Sequence, residues 1–415
     1  MPDSRPQPPH SSPSPPGPAE PNPLLLCGAR LTDGRTVDVR LGGGRIEAVG
    51  TAGSLAVGAS GTRVDLRGYL LLPAPAEPHA HGDTALSADD DGPVSHHPDE
   101  VQRRATEAAL LQLGHGATAL RSHVHIGDVQ GLEGLAAVLR ARRSLSGLAE
   151  LTTVAMPRVL TGAAGADGLA MLRDAVKMGA AVVGGCPDTD PDPTGYVEAV
   201  LELASEYGCP VDLHTDADDP ARLARIAAMA GGLRPGVTLG PCGGLGRLPA
   251  GTAARAADRL AAAGVTVVCL PQGGCGGVER RDTAPVRLLR SAGVRVAAGS
   301  GGLRDVANPV GRGDPLEAAY LLASRYGLRP EDAYDTVSAS ARAALGLPEV
   351  RVEAGFPAEL LAVRGEQLAG ALSLAYSRIV VHRGRVVART SAVREYCGSA
   401  AVALDLPRQG RAQPS

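Results

Sequence analysis

Short apolar runs alternate with amphipathic stretches through the middle of the chain. Eight runs rich in Val, Leu and Ala are each followed by a stretch whose apolar residues have helical spacing, and such alternation is typical of a parallel sheet. The eight runs are Tyr69–Leu72, Ala117–Leu120, Leu151–Ala155, Ala181–Gly184, Val211–Leu213, Val237–Leu239, Val265–Leu270 and Val294–Ala298. Eight strand–helix units over residues 69–345 predict an α/β fold of the (β/α)8 TIM barrel type. The alternative is an open, doubly wound sheet.

Short strand-like runs separated by glycine turns lie on both sides of this region. They include Leu24–Cys27, Val37–Leu41, Ile46–Val49 and Val64–Leu66, and the same texture returns at Glu359–Val363, Arg378–Val381 and Val386–Ala388. We therefore predict a small split β-sandwich domain from residues 24–72 plus 350–395, and a barrel over residues 73–349. Residues 1–23 hold ten prolines, which predicts a disordered tail, and residues 396–415 are expected to be weakly ordered.

Composition narrows the class of partner. The 415 residues carry 41 basic and 44 acidic side chains, which gives no electrostatic reason to expect nucleic acid or a membrane surface as a partner. No apolar run reaches the ~18 residues that span a bilayer. The seven cysteines are odd in number and form no CxxC motif, and the N-terminus carries no secretory signal. These features predict a cytoplasmic protein with reduced thiols.

Five of the ten histidines fall at three predicted strand ends. These histidines are His79 and His81 after the first strand, His123 and His125 on the second, and His214 on the fifth. Alternate strand residues share a face, so each His-x-His pair projects to one side. Barrel enzymes do their chemistry on the loops that follow the strands, and paired imidazoles suit a divalent metal. The grouping predicts a metal or catalytic site, whereas a single buried histidine is more often a hydrogen-bonded structural residue.

The residues around these histidines resemble the amidohydrolase superfamily, in its cytosine deaminase-like branch. The similar segments are Leu71–Thr84, Arg121–Val124, Val154–Pro157, Gly179–Gly184, Val211–His214, Pro309–Gly311 and Ser340–Arg342, within a resemblance that covers residues 24–390. The resemblance implies hydrolysis of a non-peptide C–N bond. In the family, one divalent metal, zinc or iron, binds a strand-one histidine pair, a strand-five histidine and a strand-eight aspartate. A glutamate three residues after the strand-five histidine shuttles the proton, assisted by a strand-six histidine, and a strand-three glutamine reads the pyrimidine edge.

Only part of that set is present. The resemblance carries the metal ligands onto His79, His81 and His214. Four other family positions are occupied by residues of different chemistry: Ala217 for the proton-shuttle glutamate, Pro241 for the strand-six histidine, Gly301 for the strand-eight aspartate and Arg158 for the strand-three glutamine. Loss of a positioned acid–base group commonly costs 10²–10⁴ in rate. We therefore expect the parental deamination to be lost or altered.

Three hypotheses remain open. A diverged hydrolase would use Asp216 or His125 as the new proton carrier, with His123 as a further base or ligand. A catalytically inactive pseudoenzyme would bind a small molecule or a partner subunit, with or without metal. A new activity would bind an anionic substrate through Arg158 and glycine-rich loops, which are Gly240–Gly246, Gln272–Gly277 and Gly299–Gly302. The resemblance also implies a homo-oligomer.

Overall fold

The computed structural model describes residues 23–58, 61–89, 92–127, 130–274 and 282–392. Two sheets organise this part of the chain. The first sheet contains strands from both ends of the sequence: β1 (Leu24–Arg30), β2 (Thr36–Gly42), β3 (Arg45–Thr51), β4 (Thr62–Asp65), β5 (Tyr69–Pro73), β14 (Leu360–Arg364), β15 (Arg378–His382) and β16 (Arg385–Thr390). Its order is β16-β15-β14-β5-β1-β2-β3, with β4 beside β1, and a separate apolar cluster packs on it. The predicted small sheet from the two ends of the chain is confirmed. The predicted tails at residues 1–23 and 396–415 lie outside the described residues, apart from Pro23.

The second sheet is the predicted barrel. Its eight parallel strands are β6 (Ala76–Ala80), β7 (Ala119–Ile126), β8 (Glu150–Pro157), β9 (Val182–Gly185), β10 (Val211–Thr215), β11 (Val237–Pro241), β12 (Thr266–Cys269) and β13 (Arg295–Ala298). Each strand pairs with the next along the chain. The seam between β6 and β13 is bridged at Ala80 and Gly301, where the N–H of Gly301 donates to the carbonyl of His79 at 3.0 Å.

Among the described residues, ten helices follow the barrel strands and pack around the largest apolar cluster, and an eleventh lies between β14 and β15 of the first sheet. They are α1 (Pro98–Gly114), α2 (Glu133–Ser144), α3 (Gly162–Met178), α4 (Pro193–Tyr207), α5 (Pro220–Ala230), α6 (Ala250–Ala262), α7 (Val286–Ser291), α8 (Pro315–Ser324), α9 (Pro330–Val337), α10 (Ala339–Ala344) and α11 (Leu368–Leu374). Helix α8 is capped by Asp314, whose carboxylate accepts the N–H of Leu316 at 2.9 Å. No helix within the described ranges is long and apolar enough to cross a membrane.

The first barrel strand is not the apolar run Tyr69–Leu72, as the sequence pattern suggested. That run belongs to β5, which pairs with β14 and β1 in the small sheet. The first barrel strand is instead Ala76–Ala80, which consists of Ala, Glu, Pro, His and Ala. The strand count stays at eight because this polar strand replaces the expected one. Its polarity reflects its place in the barrel, where it contributes side chains to the candidate site.

Candidate functional site

Four histidines meet at the carboxyl end of the barrel strands. His79 and His81 come from the end of β6, His123 from β7 and His214 from β10. One ring nitrogen of each lies within 4.8 Å of the others, and all four side chains are buried. The Nε2 atoms of His81 and His214 are 3.3 Å apart, and the rings of His79 and His214 lie 4.4 Å apart between centroids. We call these four residues the histidine cluster.

Burial keeps three members of the cluster neutral. The pKa of His79 and that of His214 are held well below the ordinary value, first by burial and then by repulsion from neighbouring histidines. The same causes lower the pKa of His81 to about 3. A neutral imidazole is the form that binds a metal ion. The Nδ1 atom of His214 is buried and makes no hydrogen bond within the described residues. The convergence of four ring nitrogens, three of them on rings held neutral, fits a divalent metal such as zinc.

A charged pair lies beneath the cluster in the barrel interior. Arg121 precedes His123 by two residues on β7, and Asp212 precedes His214 by two on β10, so each pair shares a face. The guanidinium of Arg121 donates to the Asp212 carboxylate at 2.8 Å, and both side chains are buried. Sequence reasoning missed this pair, although the two-residue spacing that revealed the histidines also applied to it.

His125 lies at the open edge of the cluster. Its ring lies 6.1 Å from that of His81, and 63% of its side chain is exposed. Its Nδ1 is 2.9 Å from Oδ2 of Asp83, and its backbone N–H donates to the same oxygen at 3.1 Å. Burial alone would raise the pKa of Asp83, but the charge and hydrogen bonds of His125 lower it to about 2. The pair presents an imidazole to solvent beside His81 of the histidine cluster.

The other two predicted site residues lie elsewhere. Asp216, immediately after β10, accepts the backbone N–H of Gly244 at 2.8 Å and forms a short ion pair with Arg247. Its carboxylate is therefore occupied by the loop that follows β11. Arg158 follows β8 directly and is exposed. Asp216 thus has its partners on the loop after β11, and Arg158 lies at the end of β8.

Two of the glycine-rich loops bind carboxylates of the chain itself. The loop after β11 binds Asp216. The loop after β13 binds Glu77, whose carboxylate accepts the N–H of Ser300 at 3.1 Å and that of His79 at 2.9 Å. A Cβ on Gly299 would lie 2.7 Å from Oε1 of Glu77, so glycine leaves room for the carboxylate. The third loop lies partly outside the described residues. The amides of Gly244 and Ser300 thus bind carboxylates of the chain itself, in loops where the sequence suggested an anionic substrate.

Glu77 is a further residue that sequence reasoning missed. It lies on β6, two residues before His79, and joins this strand to the loop after β13 at the barrel seam. Burial raises the pKa of Glu77 to about 7, although the N–H groups of Ser300 and His79 oppose the shift. Alternation along β6 could have identified it as an inward-facing residue, but its partner across the seam could not be read from the sequence.

Comparison with known proteins gives the family of this barrel. Residues 99–388 match the model of the amidohydrolase family. The chain belongs to the amidohydrolase family. Membership confirms the superfamily that the strand-end histidines suggested, and it agrees with a barrel carrying a site at the carboxyl ends of its strands.

The proteins that this chain is similar to are named for several activities. The chain is 27% identical to a pterin deaminase of Rhizobium rhizogenes over 316 residues, which is 70% of each protein. It superimposes on the N-isopropylammelide isopropylaminohydrolase of Burkholderia multivorans with a TM-score of 0.79 and 27% identity, over 90% of this chain and 100% of that one. A 5-methylcytosine deaminase of Klebsiella pneumoniae gives a TM-score of 0.78 at 24% identity, over 91% and 100% of the two chains, and this likeness shows the fold.

Proposed function

We propose that this protein is a metal-dependent hydrolase that cleaves a C–N bond other than a peptide bond in a small molecule. The observation that carries the proposal is the convergence of His79, His81 and His214, all buried, at the carboxyl ends of the barrel strands. The two relatives at 27% identity, named for pterin deamination and for hydrolysis of N-isopropylammelide, support this reaction class. Under the proposal the three histidines hold one divalent metal, zinc or iron, whose chemistry is to activate water at neutral pH.

His125 is the proton carrier in this proposal, and Asp83 is its positioning residue. An ionised carboxylate only accepts hydrogen bonds, so Asp83 fixes the proton of neutral His125 on Nδ1. The ring of His125 lies 6.1 Å from that of His81, with 63% of the side chain exposed, so Nε2 is the nitrogen that would exchange a proton with substrate. In that position His125 takes a proton from the attacking water and returns it to the leaving nitrogen. It substitutes for the shuttle glutamate whose place is taken by Ala217.

Arg158 is the substrate-binding residue in the proposal. A guanidinium only donates hydrogen bonds, whereas the family's strand-three glutamine both donates and accepts. The exchange favours a substrate that presents an oxo or carboxylate oxygen to the end of β8. It also predicts weaker binding of cytosine, whose edge the amide of glutamine reads in the family.

A second candidate function rests on the missing acid–base groups. Ala217, Pro241 and Gly301 carry no ionisable side chain, and Asp216 is bound by Arg247. A descendant with these losses would bind a small molecule or a partner subunit without turning it over. The distinction between the two functions depends on His125, because it is the exposed base beside the cluster.

The test is turnover by zinc- or iron-loaded protein. Candidate substrates are exocyclic amines and cyclic amides on nitrogen heterocycles, with pterin, N-isopropylammelide and cytosine included, and the readout is released ammonia or alkylamine. The proposal expects turnover that falls about 10²–10⁴-fold in His125→Asn, as for loss of an acid–base group, and is unchanged in His96→Asn, an exposed histidine outside the cluster. Equal turnover in His125→Asn would remove His125 from the reaction, and metal-loaded protein without turnover would favour the pseudoenzyme.

A further inference from the structure

The family position for the strand-eight metal ligand carries no side chain that reaches the histidine cluster. That position is Gly301, with φ of +70°. A Cβ built there would have the Gly273 carbonyl oxygen at 3.1 Å and Leu270 Cδ1 at 3.2 Å as its nearest neighbours. On the same loop, Gly299 faces Glu77 and the backbone of His79. The end of β13 therefore supplies no side chain for one position of the family's ligand set.

His123 reaches the cluster from β7 on the other side of β6. Its ring lies 4.2 Å from that of His79 and 4.6 Å from that of His214, and its side chain is fully buried. The Nδ1 atom is 3.3 Å from the carbonyl oxygen of Ala80. A carbonyl can only accept, so Nδ1 donates to it and Nε2 is the ring nitrogen left to bind a metal. Metal-bound histidines characteristically have one ring N–H held by a carbonyl or carboxylate while the other nitrogen binds the metal.

We propose that His123 is the fourth metal ligand of this protein, in place of the absent strand-eight carboxylate. The inference rests on the metal site of the proposed function and adds a strand-two ligand to it. The resulting set is His79, His81, His123 and His214, which are the four residues whose ring nitrogens converge within 4.8 Å.

The neighbouring Asp212 offers His123 a competing role as the cationic member of an ion pair. Its Oδ2 lies 3.4 Å from His123 Nε2, and Nε2 has no hydrogen-bond partner in the described part of the chain. Arg121 meanwhile donates to the same Oδ2 at 2.8 Å. The short contact of the carboxylate is therefore with Arg121, and Nε2 is the nitrogen that His123 offers to a metal.

The proposed ligand set has a chemical consequence for metal choice. Replacing a carboxylate by an imidazole removes one negative charge from the ligands, and four neutral nitrogens favour zinc, iron, nickel or copper over magnesium, calcium or manganese. The ligand count stays at four, as in the family. Asp212 then supplies the nearby negative charge through space while it remains bound to Arg121.

X-ray absorption at the zinc edge tests the proposal on the full-length protein loaded with zinc alone. Multiple scattering from the rings counts imidazole ligands at Zn–N distances of about 2.0–2.1 Å. We expect four imidazoles in the wild type, three in His123→Gln, and four in His125→Gln, the matched variant on the same strand. We also expect zinc affinity to fall at least about tenfold in His123→Gln, because loss of a ligand should cost no less than loss of a residue outside the ligand shell, which costs 10–100-fold. The change in His125→Gln should be smaller.

The outcomes separate this inference from the proposed function. Three imidazoles in the wild type, with zinc affinity unchanged in His123→Gln, would overturn the fourth ligand and leave a three-histidine hydrolase site in place. A wild-type protein that binds no zinc or iron would overturn both. If His123→Gln does not fold, the imidazole count of the wild type still decides, because it requires no variant.

Discussion

The carboxylate of Asp216 is bound by the guanidinium of Arg247, across the ends of β10 and β11. The N–H of Gly244 donates to the same carboxylate at 2.8 Å, and Gly244 has no side chain to keep the two apart. The sequence suggested Asp216 as a proton carrier because it lies beside the family's shuttle position. Its observed partners, the N–H of Gly244 and the guanidinium of Arg247, both belong to the loop after β11, so the carboxylate joins the ends of two strands.

This arrangement predicts that Asp216→Asn affects stability more than metal binding. Loss of a partly buried, charged hydrogen-bond acceptor should lower the free energy of unfolding by about 1–3 kcal/mol. Asp218→Asn is the matched control, since its exposed ion pair with Arg222 should contribute less than about 1 kcal/mol. Urea titration gives the stabilities, and elemental mass spectrometry gives metal content. Unchanged stability together with lost turnover in Asp216→Asn would return this residue to the reaction.

Restoring the family's glutamate should not restore the family's reaction. Ala217 is 2% exposed and has φ of +58°, so Ala217→Glu places a long, charged side chain in a buried, left-handed position. We expect a lower melting temperature and no deamination of cytosine, because Pro241 and Gly301 still lack the other two groups. The assay is the loss of cytosine absorbance by metal-loaded protein. Strong rescue by this single change would show that the other losses do not matter.

The barrel seam predicts a steric requirement for glycine at position 299. A Cβ there would lie 2.7 Å from Oε1 of Glu77 and 2.9 Å from Cβ of His79. Gly299→Ala should therefore destabilise the protein by about 1–3 kcal/mol, as for an overpacked core. Gly232→Ala is the control, because a Cβ on Gly232 meets nothing within 4 Å. Equal unfolding free energies for the two variants would contradict the close approach of Glu77 to the loop after β13.

The pair of Glu359 and His382 predicts a pH-dependent contribution to stability. Oε2 of Glu359 is 2.8 Å from Nδ1 of His382, and both side chains are buried. Burial alone would raise the pKa of Glu359, but the hydrogen bonds and charge of His382 lower it below its ordinary value. A carboxyl with a lowered pKa in the folded state stabilises the protein above its unfolded pKa, near 4.5, and this stabilisation is lost as the pH falls through the folded value.

Glu359→Gln should accordingly lower the free energy of unfolding by about 1–3 kcal/mol at pH 7. The difference from wild type should shrink as the pH falls below about 4.5, the ordinary pKa of the carboxyl. Denaturant titrations between pH 5 and pH 3 measure it, with the exposed Glu353→Gln as control. A difference that grows as the pH falls below 4.5 would reverse the sign and contradict the charge state assigned to Glu359.

The periodicity of the sequence predicted the alternation of strands and helices, because amphipathic helices and apolar strands leave a local pattern. It misplaced the first barrel strand, since Ala76–Ala80 contains Glu77 and His79 where a buried strand is expected to be apolar. Pairing across the sheet, and not local composition, assigns Tyr69–Pro73 to the small sheet.

The histidine cluster was predictable for the same local reason, the two-residue spacing along a strand. Contacts between strands that lie far apart in the sequence were not predictable in this way. Asp212 meets Arg121, Glu77 meets Ser300, and Asp216 meets Arg247 only after the barrel closes. The residues next to each carboxylate in the sequence do not indicate its partner, because the partner lies on a different strand or loop and is brought close only by the fold.

Metal content is the measurement that bears most directly on the proposed hydrolase. The purified protein is offered zinc and iron, dialysed, and measured by elemental mass spectrometry beside His79→Ala and the exposed His96→Ala. We predict about one metal ion per chain in the wild type and in His96→Ala, and loss of that ion in His79→Ala, because His79 is a buried member of the cluster. A wild-type protein without stoichiometric metal, or a His79→Ala protein that retains it, would contradict a metal site at the histidine cluster.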